Sequence, residues 1–337
     1  MKKFPWLQLF WLLILLLVIW SVRDIPLADI LRALRSLNAA KILTLAALNI
    51  CILLLVSGRW WLIMRSQGHS LRYFSVAGYR MVAFGISYFT LGPQFGGEPA
   101  QVYYLRSRHG ISTSSALASV SLDKILELLA NFAFLLVGIL AALGSGLLAD
   151  LAPIQATAWM AVPFVLLLAY TLAIWKGKSP LAGVLSRLPQ RHGLILRLTR
   201  ATASAEGQIS QFCRRKPLAV FAASLLSALI LGVMTLEYWL SLRFLNIQVS
   251  LPQAVAALTA ARIAFLFPLP GGLGALEASQ MLAMEALGLN PALGLSISLL
   301  IRGRDIILGG LGILWGGVLT RQRARVSVPS QATERRI

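Results

Sequence analysis

Long apolar stretches alternate with short polar ones, most of them basic, along the whole of this 337-residue chain. Residues 6–22, 39–61, 162–175 and 217–236 approach or reach the ~20 residues that cross ~30 Å of hydrocarbon at 1.5 Å per residue. Several of them hold no charge. The first follows Lys2 and Lys3 as an export signal would. Val22-Arg23-Asp24 offers no small-residue cleavage site, so a retained helix is expected.

Between the first two spans, Ile30, Leu31, Leu34 and Leu37 set against Arg32 and Arg35 have the period of a helix lying in the interface. Residues 73–91, a turn at Gly92-Pro93-Gln94-Phe95-Gly96-Gly97, and a helix from Glu98 to Arg106, Arg108 and His109 begin and end among basic residues. That pattern reads as a re-entrant hairpin whose irregular turn must be buried in protein. A long helix is expected over 112–143, then Gly144-Ser145-Gly146 to Asp150 without Lys or Arg, and spans over 153–175 and 217–242. Residues 251–267 run into Pro268-Leu269-Pro270-Gly271-Gly272-Leu273-Gly274, a second helix reaches Gly288, and 291–319 forms the last span.

The expected fold is therefore all-α: a polytopic membrane helix bundle of about six full spans plus two re-entrant helical hairpins. Pro93 and Pro268 each stand three residues before a Gly-Gly pair. This suggests an inverted repeat over about 6–143 and 153–319, with the hairpins entering from opposite faces. The alternative is chance recurrence of Pro-Gly turns among 14 prolines.

Composition supports the membrane reading. Hydrophobic residues make up 58% of the chain and charged residues 13%, too apolar for a soluble domain of this size. The formal charge of +19 raises the question of nucleic acid. Its basic residues, however, lie mostly in connections and the tail rather than on one domain face. Lys176, Lys178, Arg187, Arg191, Arg197, Arg200, Arg214, Arg215 and Lys216 share one connection, and Arg321, Arg323, Arg325, Arg335 and Arg336 sit near the C-terminus. By the positive-inside rule both are cytoplasmic, as is the N-terminus, in the inner (plasma) membrane. They would also attract anionic head groups. Residues 1–325 are expected to form one membrane domain and 326–337 a disordered basic tail. Cys51 and Cys213 imply no disulfide framework, and His69, His109 and His192 lie too far apart to suggest a metal site. No cofactor is expected.

Ionisable groups in hydrocarbon are costly and often functional. Asp123, Glu127 and Asn131 recur at spacing four on one helix face, with Lys124 beside them. Arg302, Arg304 and Asp305 sit at similar depth in the last span, so a buried ion pair between the two clusters is expected. It would serve either function or helix register. The hairpin tips are the second candidate. Gly96, Gly97, Pro270, Gly271, Gly272 and Gly274 permit close backbone approach, and helix starts at Glu98 and Leu273 would favour an anion, helped by Arg106, Arg262 or Arg302. Alternatively Glu98 and Glu277 cap those helices or pair with the arginines. Glu237 and Glu285 are intramembrane acids without an assigned role. Gly309, Gly312, Gly316 and Gly317 suit tight packing. No hydrolase, phosphate-loop or metal motif is present in the sequence.

Gly96-Gly97-Glu98 with Leu105-Arg106, Gly110-Ile111-Ser112, the run from Ala116 to Lys124, and Pro268 to Glu277 together resemble the flippase-like membrane domain of the lysylphosphatidylglycerol synthase family. The resemblance covers nearly the whole chain. It departs at Lys124, where the family usually has Arg, and at Gln101, where Arg often follows the first motif; both bear on head-group preference. In bifunctional members a separate soluble domain carries out aminoacyl transfer. This chain ends twelve residues after Arg325, so the resemblance implies lipid binding or translocation without the transferase. The leading expectation is a flippase-like protein acting on an anionic or polyprenyl-linked lipid. A membrane subunit supplying lipid to a partner glycosyltransferase or aminoacyltransferase, and a proton-coupled solute transporter, are the other two.

Overall fold

The computed structural model describes residues 35–90, 94, 96–144, 153–187 and 193–326, and among these every regular element is helical. The expected first span, the interfacial stretch up to residue 34, Gly92, Pro93 and Phe95 of the first turn, residues 145–150, His192 and the tail from 327 lie outside the described residues.

Helix α1 (Ala39–Ser66) starts at Asn38, whose side chain accepts from Lys41 N at 2.9 Å, an N-cap that satisfies an otherwise orphan donor. Lys41, in the first turn of α1, donates through Nζ to Ser36 O at 2.8 Å and Phe244 O at 3.1 Å. Helices α2 (Tyr73–Phe89) and α3 (Glu98–His109) fold back on each other. Tyr79 stacks on Tyr104 with ring centroids 5.0 Å apart, and its hydroxyl lies 2.9 Å from His109 Nε2. Gly110 ends α3 at φ 65, a left-handed cap that glycine adopts without a Cβ penalty.

Next come α4 (Thr113–Gly144), α5 (Pro153–Trp175), the short α6 (Pro180–Ser186), α7 (Gly193–Arg215) and α8 (Pro217–Phe244). Helix α9 (Leu251–Ala264), a 3₁₀ turn (Pro270–Gly272) and α10 (Ala275–Ala286) make a second hairpin, in which Gln280 Nε2 donates to Ala257 O at 3.1 Å. The chain ends in α11 (Pro291–Val326). Among the described residues three helices, α1, α4 and α8, are long and apolar enough to cross a membrane. A fourth crossing results if α5 and α6, bent by 95°, count as one broken span. Six spans are thus not reached by length and hydropathy: the first expected span lies outside the described residues, and α11 carries Arg302, Arg304 and Asp305.

The packing interleaves the two halves of the sequence. Helix α1 lies along α8, α2 along α11, and α9 along α4. The α2–α11 contact is backbone-close because small residues line it. A Cβ on Gly85 would come within 2.5 Å of Gly309 O, one on Gly312 within 2.2 Å of Met81 O, and one on Gly316 within 3.1 Å of a Val82 methyl. Gly317 lies off this face, with nothing within 4 Å of its Cβ position.

The basic connection is itself folded. Ala205, Ile209, Phe212 and Cys213 of α7 are buried against Ile63, Leu122 and Ile174, while Arg197, Arg200, Arg214 and Arg215 stay exposed. Buried Glu206 accepts from Leu181 N at 3.0 Å, Ala182 N at 3.1 Å and the Tyr170 hydroxyl at 3.1 Å, tying α5, α6 and α7 together. Elsewhere large apolar side chains face outward; Phe74, Leu218 and Phe221 are 81%, 82% and 69% exposed. Such a surface is stable when lipid rather than water covers it.

Candidate functional site

A cavity of about 290 Å³ lies inside the bundle, lined from α1, α2, α3, α4, α8, α9 and α11. Its axis follows α1 and α8, which run antiparallel: Asn49 meets Glu237, and Arg59 meets Ser227. Asn49 and Arg59 are ten residues apart, so these two levels are separated by about 15 Å along the helix. Each level carries a charged cluster.

At the Arg59 level the carboxylates of α4 meet the cations of α1 and α2. Asp123, 1% exposed, accepts from Arg59 Nε at 2.7 Å and Arg80 Nη1 at 2.6 Å. Glu127 accepts from Arg80 Nη2 at 2.5 Å, Lys124 Nζ at 2.8 Å and Arg59 Nη2 at 3.3 Å. Lys124 also reaches Glu98 at 3.3 Å and donates to Gln94 O, holding the first hairpin tip against α4. Three cations thus meet three acids, and four of the six contacts, at 2.5–2.8 Å, have the short lengths of charge-assisted bonds. The spacing of four that stacks Asp123, Glu127 and Asn131 on one face of α4 is what makes this possible.

At the Glu237 level Arg304 binds Glu237 at 3.0 Å and Asp305 at 2.8 Å, while Asn49 Nδ2 donates to Glu237 at 3.3 Å. Glu237, left without a role by the sequence, is a centre of this second cluster. Between the two levels, Arg262 of α9 donates through Nη1 to Asn131 Oδ1 at 2.7 Å.

The structure corrects one expectation directly. No ion pair joins Asp123 to Arg302: Asp123 is taken by Arg59 and Arg80, and Arg302 by Glu277. The hydrogen bond between Asn131 and Arg262 is what crosses between α4 and the second hairpin. Of the candidate residues, Gly97, Glu98, Lys124, Glu127, Arg262 and Asp305 line the cavity, and Asp123 lies behind its wall. Gly96, Arg106, Pro270, Gly271, Gly272, Gly274, Glu277 and Arg302 do not line it. Arg106 is exposed at the far end of α3.

The capping alternative describes the second hairpin, where Glu277 accepts from the N-cap Gly274 N at 2.9 Å; in the first, Glu98 folds back onto Gly96 N at 2.9 Å and pairs with Lys124 instead of capping the helix. The tips pack on protein: a Cβ on Gly97 would meet Ala83 O at 2.1 Å, and Gly271, at φ 58, sits against the Tyr88 ring. Arg59 and Arg80 were missed as site residues. Arg59 falls near the end of the span expected over 39–61, but α1 continues seven residues beyond it and Arg59 is 2% exposed. Arg80 is the lone charge between Tyr73 and Phe89, a signal that an intramembrane cation needs a partner.

Comparison with known families gives one match: the family model described as "Lysylphosphatidylglycerol synthase TM region" matches residues 8–312. No curated protein and no solved structure matches the chain.

Proposed function

Because the chain belongs to the family of the lysylphosphatidylglycerol synthase TM region, we propose that this membrane protein binds a lipid's polar head group in the central cavity and carries it between leaflets. The carrying observation is the pair of charged clusters about 15 Å apart on α1 and α8, facing one cavity inside an outwardly apolar bundle. A polar head group crossing hydrocarbon needs such a lined path, since each unsatisfied polar group costs several kcal/mol there. In this reading each cluster closes one end of the path, and head-group binding competes with its ion pairs, so occupancy shifts which end opens. The interleaved pairs α2–α11 and α9–α4 are the two equivalent contacts of an inverted repeat, with α1–α8 on its axis. The protein acts in the plasma membrane with the basic α6–α7 layer facing the cytoplasm, and it carries lipid without chemically altering it.

The test is reconstitution. Proteoliposomes holding acyl-labelled fluorescent phospholipids are treated with a membrane-impermeant quencher. Protein-containing vesicles are expected to expose inner-leaflet label faster than empty ones, and Arg80→Gln to slow that exposure. Equal rates with and without protein for anionic, zwitterionic and polyprenyl lipids would overturn the reading.

A further inference from the structure

The charges around the cavity do not cancel locally, and the imbalance has a direction. Arg59, Arg80, Lys124 and Arg304 each have at least one carboxylate within 3.3 Å. Among the described residues Arg262 has none at ion-pair distance. Its neighbours are the Asn131 carbonyl at 2.7 Å, Met234 Sδ at 2.9 Å and the Phe134 ring at 5.1 Å. Arg262 Nε and Asn131 Nδ2 are both buried donors without an acceptor, and both residues line the cavity. A desolvated guanidinium with spare N–H groups is a receptor for an oxyanion, and its planar fork matches the oxygens of a phosphodiester.

The opposite charge stands one helix turn away. At the Glu237 level Arg304 is, among the described residues, the one cation paired with Glu237 and Asp305, leaving one formal negative charge uncompensated. Met234, against which the Arg262 guanidinium rests, precedes Glu237 by three residues, about 4.5 Å along α8. At the Arg59 level three cations and three acids already balance. The cavity therefore presents one unmatched positive and one unmatched negative group about one helix turn apart along α8, a combination that suits a phosphate ester whose alcohol carries a primary amine.

Building on the head-group reading above, we infer that Arg262 and Asn131 seat the phosphodiester of a zwitterionic phospholipid, with its ammonium turned toward Glu237 and Asp305. The hairpin tips, where Glu277 caps the second helix and Glu98 is held by Gly96 N and Lys124, take no part in holding the phosphate.

The full-length chain in a non-ionic detergent is titrated with short-chain phosphatidylethanolamine, phosphatidylglycerol and phosphatidylcholine of equal acyl length, and separately with inorganic phosphate, following the rise in melting temperature. Phosphatidylethanolamine should bind at least about tenfold tighter than phosphatidylglycerol, because only it adds the ammonium contact. Phosphatidylcholine, whose quaternary nitrogen donates no hydrogen bond, should fall between them. Arg262→Gln should weaken all three by about tenfold or more, with Arg262→Lys intermediate because charge is kept and the fork lost. Glu237→Gln should bring phosphatidylethanolamine down to the phosphatidylglycerol level. Undiminished binding in a folded Arg262→Gln protein overturns the phosphate seat. Equal wild-type affinity for the ethanolamine and glycerol head groups overturns the ammonium assignment. Inorganic phosphate binding as tightly as the lipids would overturn the lipid source in favour of a free anion. The predicted head-group order in a chain that moves no lipid would defeat the transport reading and leave this inference standing, whereas transport indifferent to Arg262→Gln would do the reverse.

Discussion

Asp123 holds two guanidinium groups at once, so replacing it exposes how much the bundle depends on the cluster. Asp123→Asn keeps the shape but removes the charge that accepts from Arg59 at 2.7 Å and Arg80 at 2.6 Å. Both arginines are then left to Glu127, which already serves Lys124. Removing one partner of a buried ion pair costs ~3–5 kcal/mol, because the remaining charge stays desolvated. Arg80→Gln should fall in the same range. The double variant should cost less than the two singles together, by up to ~3 kcal/mol, since each single strands the partner that the other removes. Equilibrium unfolding in mixed micelles reads all three values. Two single losses below ~1 kcal/mol that simply add would match a solvated surface pair and refute the buried-cluster argument.

Two further outcomes follow from packing. Gly97→Ala places a Cβ 2.1 Å from the Ala83 carbonyl oxygen, so the first hairpin must open, lowering stability by ~1–3 kcal/mol; Gly207→Ala on the exposed face of α7, with nothing within 4 Å, should instead gain ~0.5–1 kcal/mol, both read by melting temperature. Burial pushes the Cys213 thiol up to about 11, leaving little thiolate near neutral pH, and Cys51 faces outward from α1 into lipid. A membrane-impermeant maleimide should therefore label neither until the protein is unfolded in SDS, and rapid labelling of Cys213 in the folded protein would mean that α7 does not pack as described.

Period and length carry most of the helix boundaries. The span expected over 153–175 coincides with α5, and 112–143 is displaced by one residue from α4, because long, mainly apolar runs bounded by Gly or Pro leave little freedom. Helix α7 escaped notice although Ile195, Leu198, Ala205, Ile209 and Phe212 recur at helical spacing. Its arginines drew attention to topology rather than to the apolar stripe between them. The acidic face of α4 was legible for the same periodic reason. Its partners were not: Arg59 and Arg80 lie 64 and 43 residues from Asp123, and only the fold decides that they, rather than Arg302, reach it. The unmatched Arg262 was visible as a residue and invisible as an imbalance, since counting neighbours requires three dimensions.

The glycine-lined seam between α2 and α11 binds the beginning of the bundle to its end. With backbones in near contact at Gly85, Gly309 and Gly312, these two helices have no side-chain cushion over which to slide, and they travel as one body. Whatever rocking the protein performs must therefore be divided along lines that cut across sequence order. A polypeptide severed between α7 and α8 would yield two fragments, each missing the complementary ridge that the other supplies.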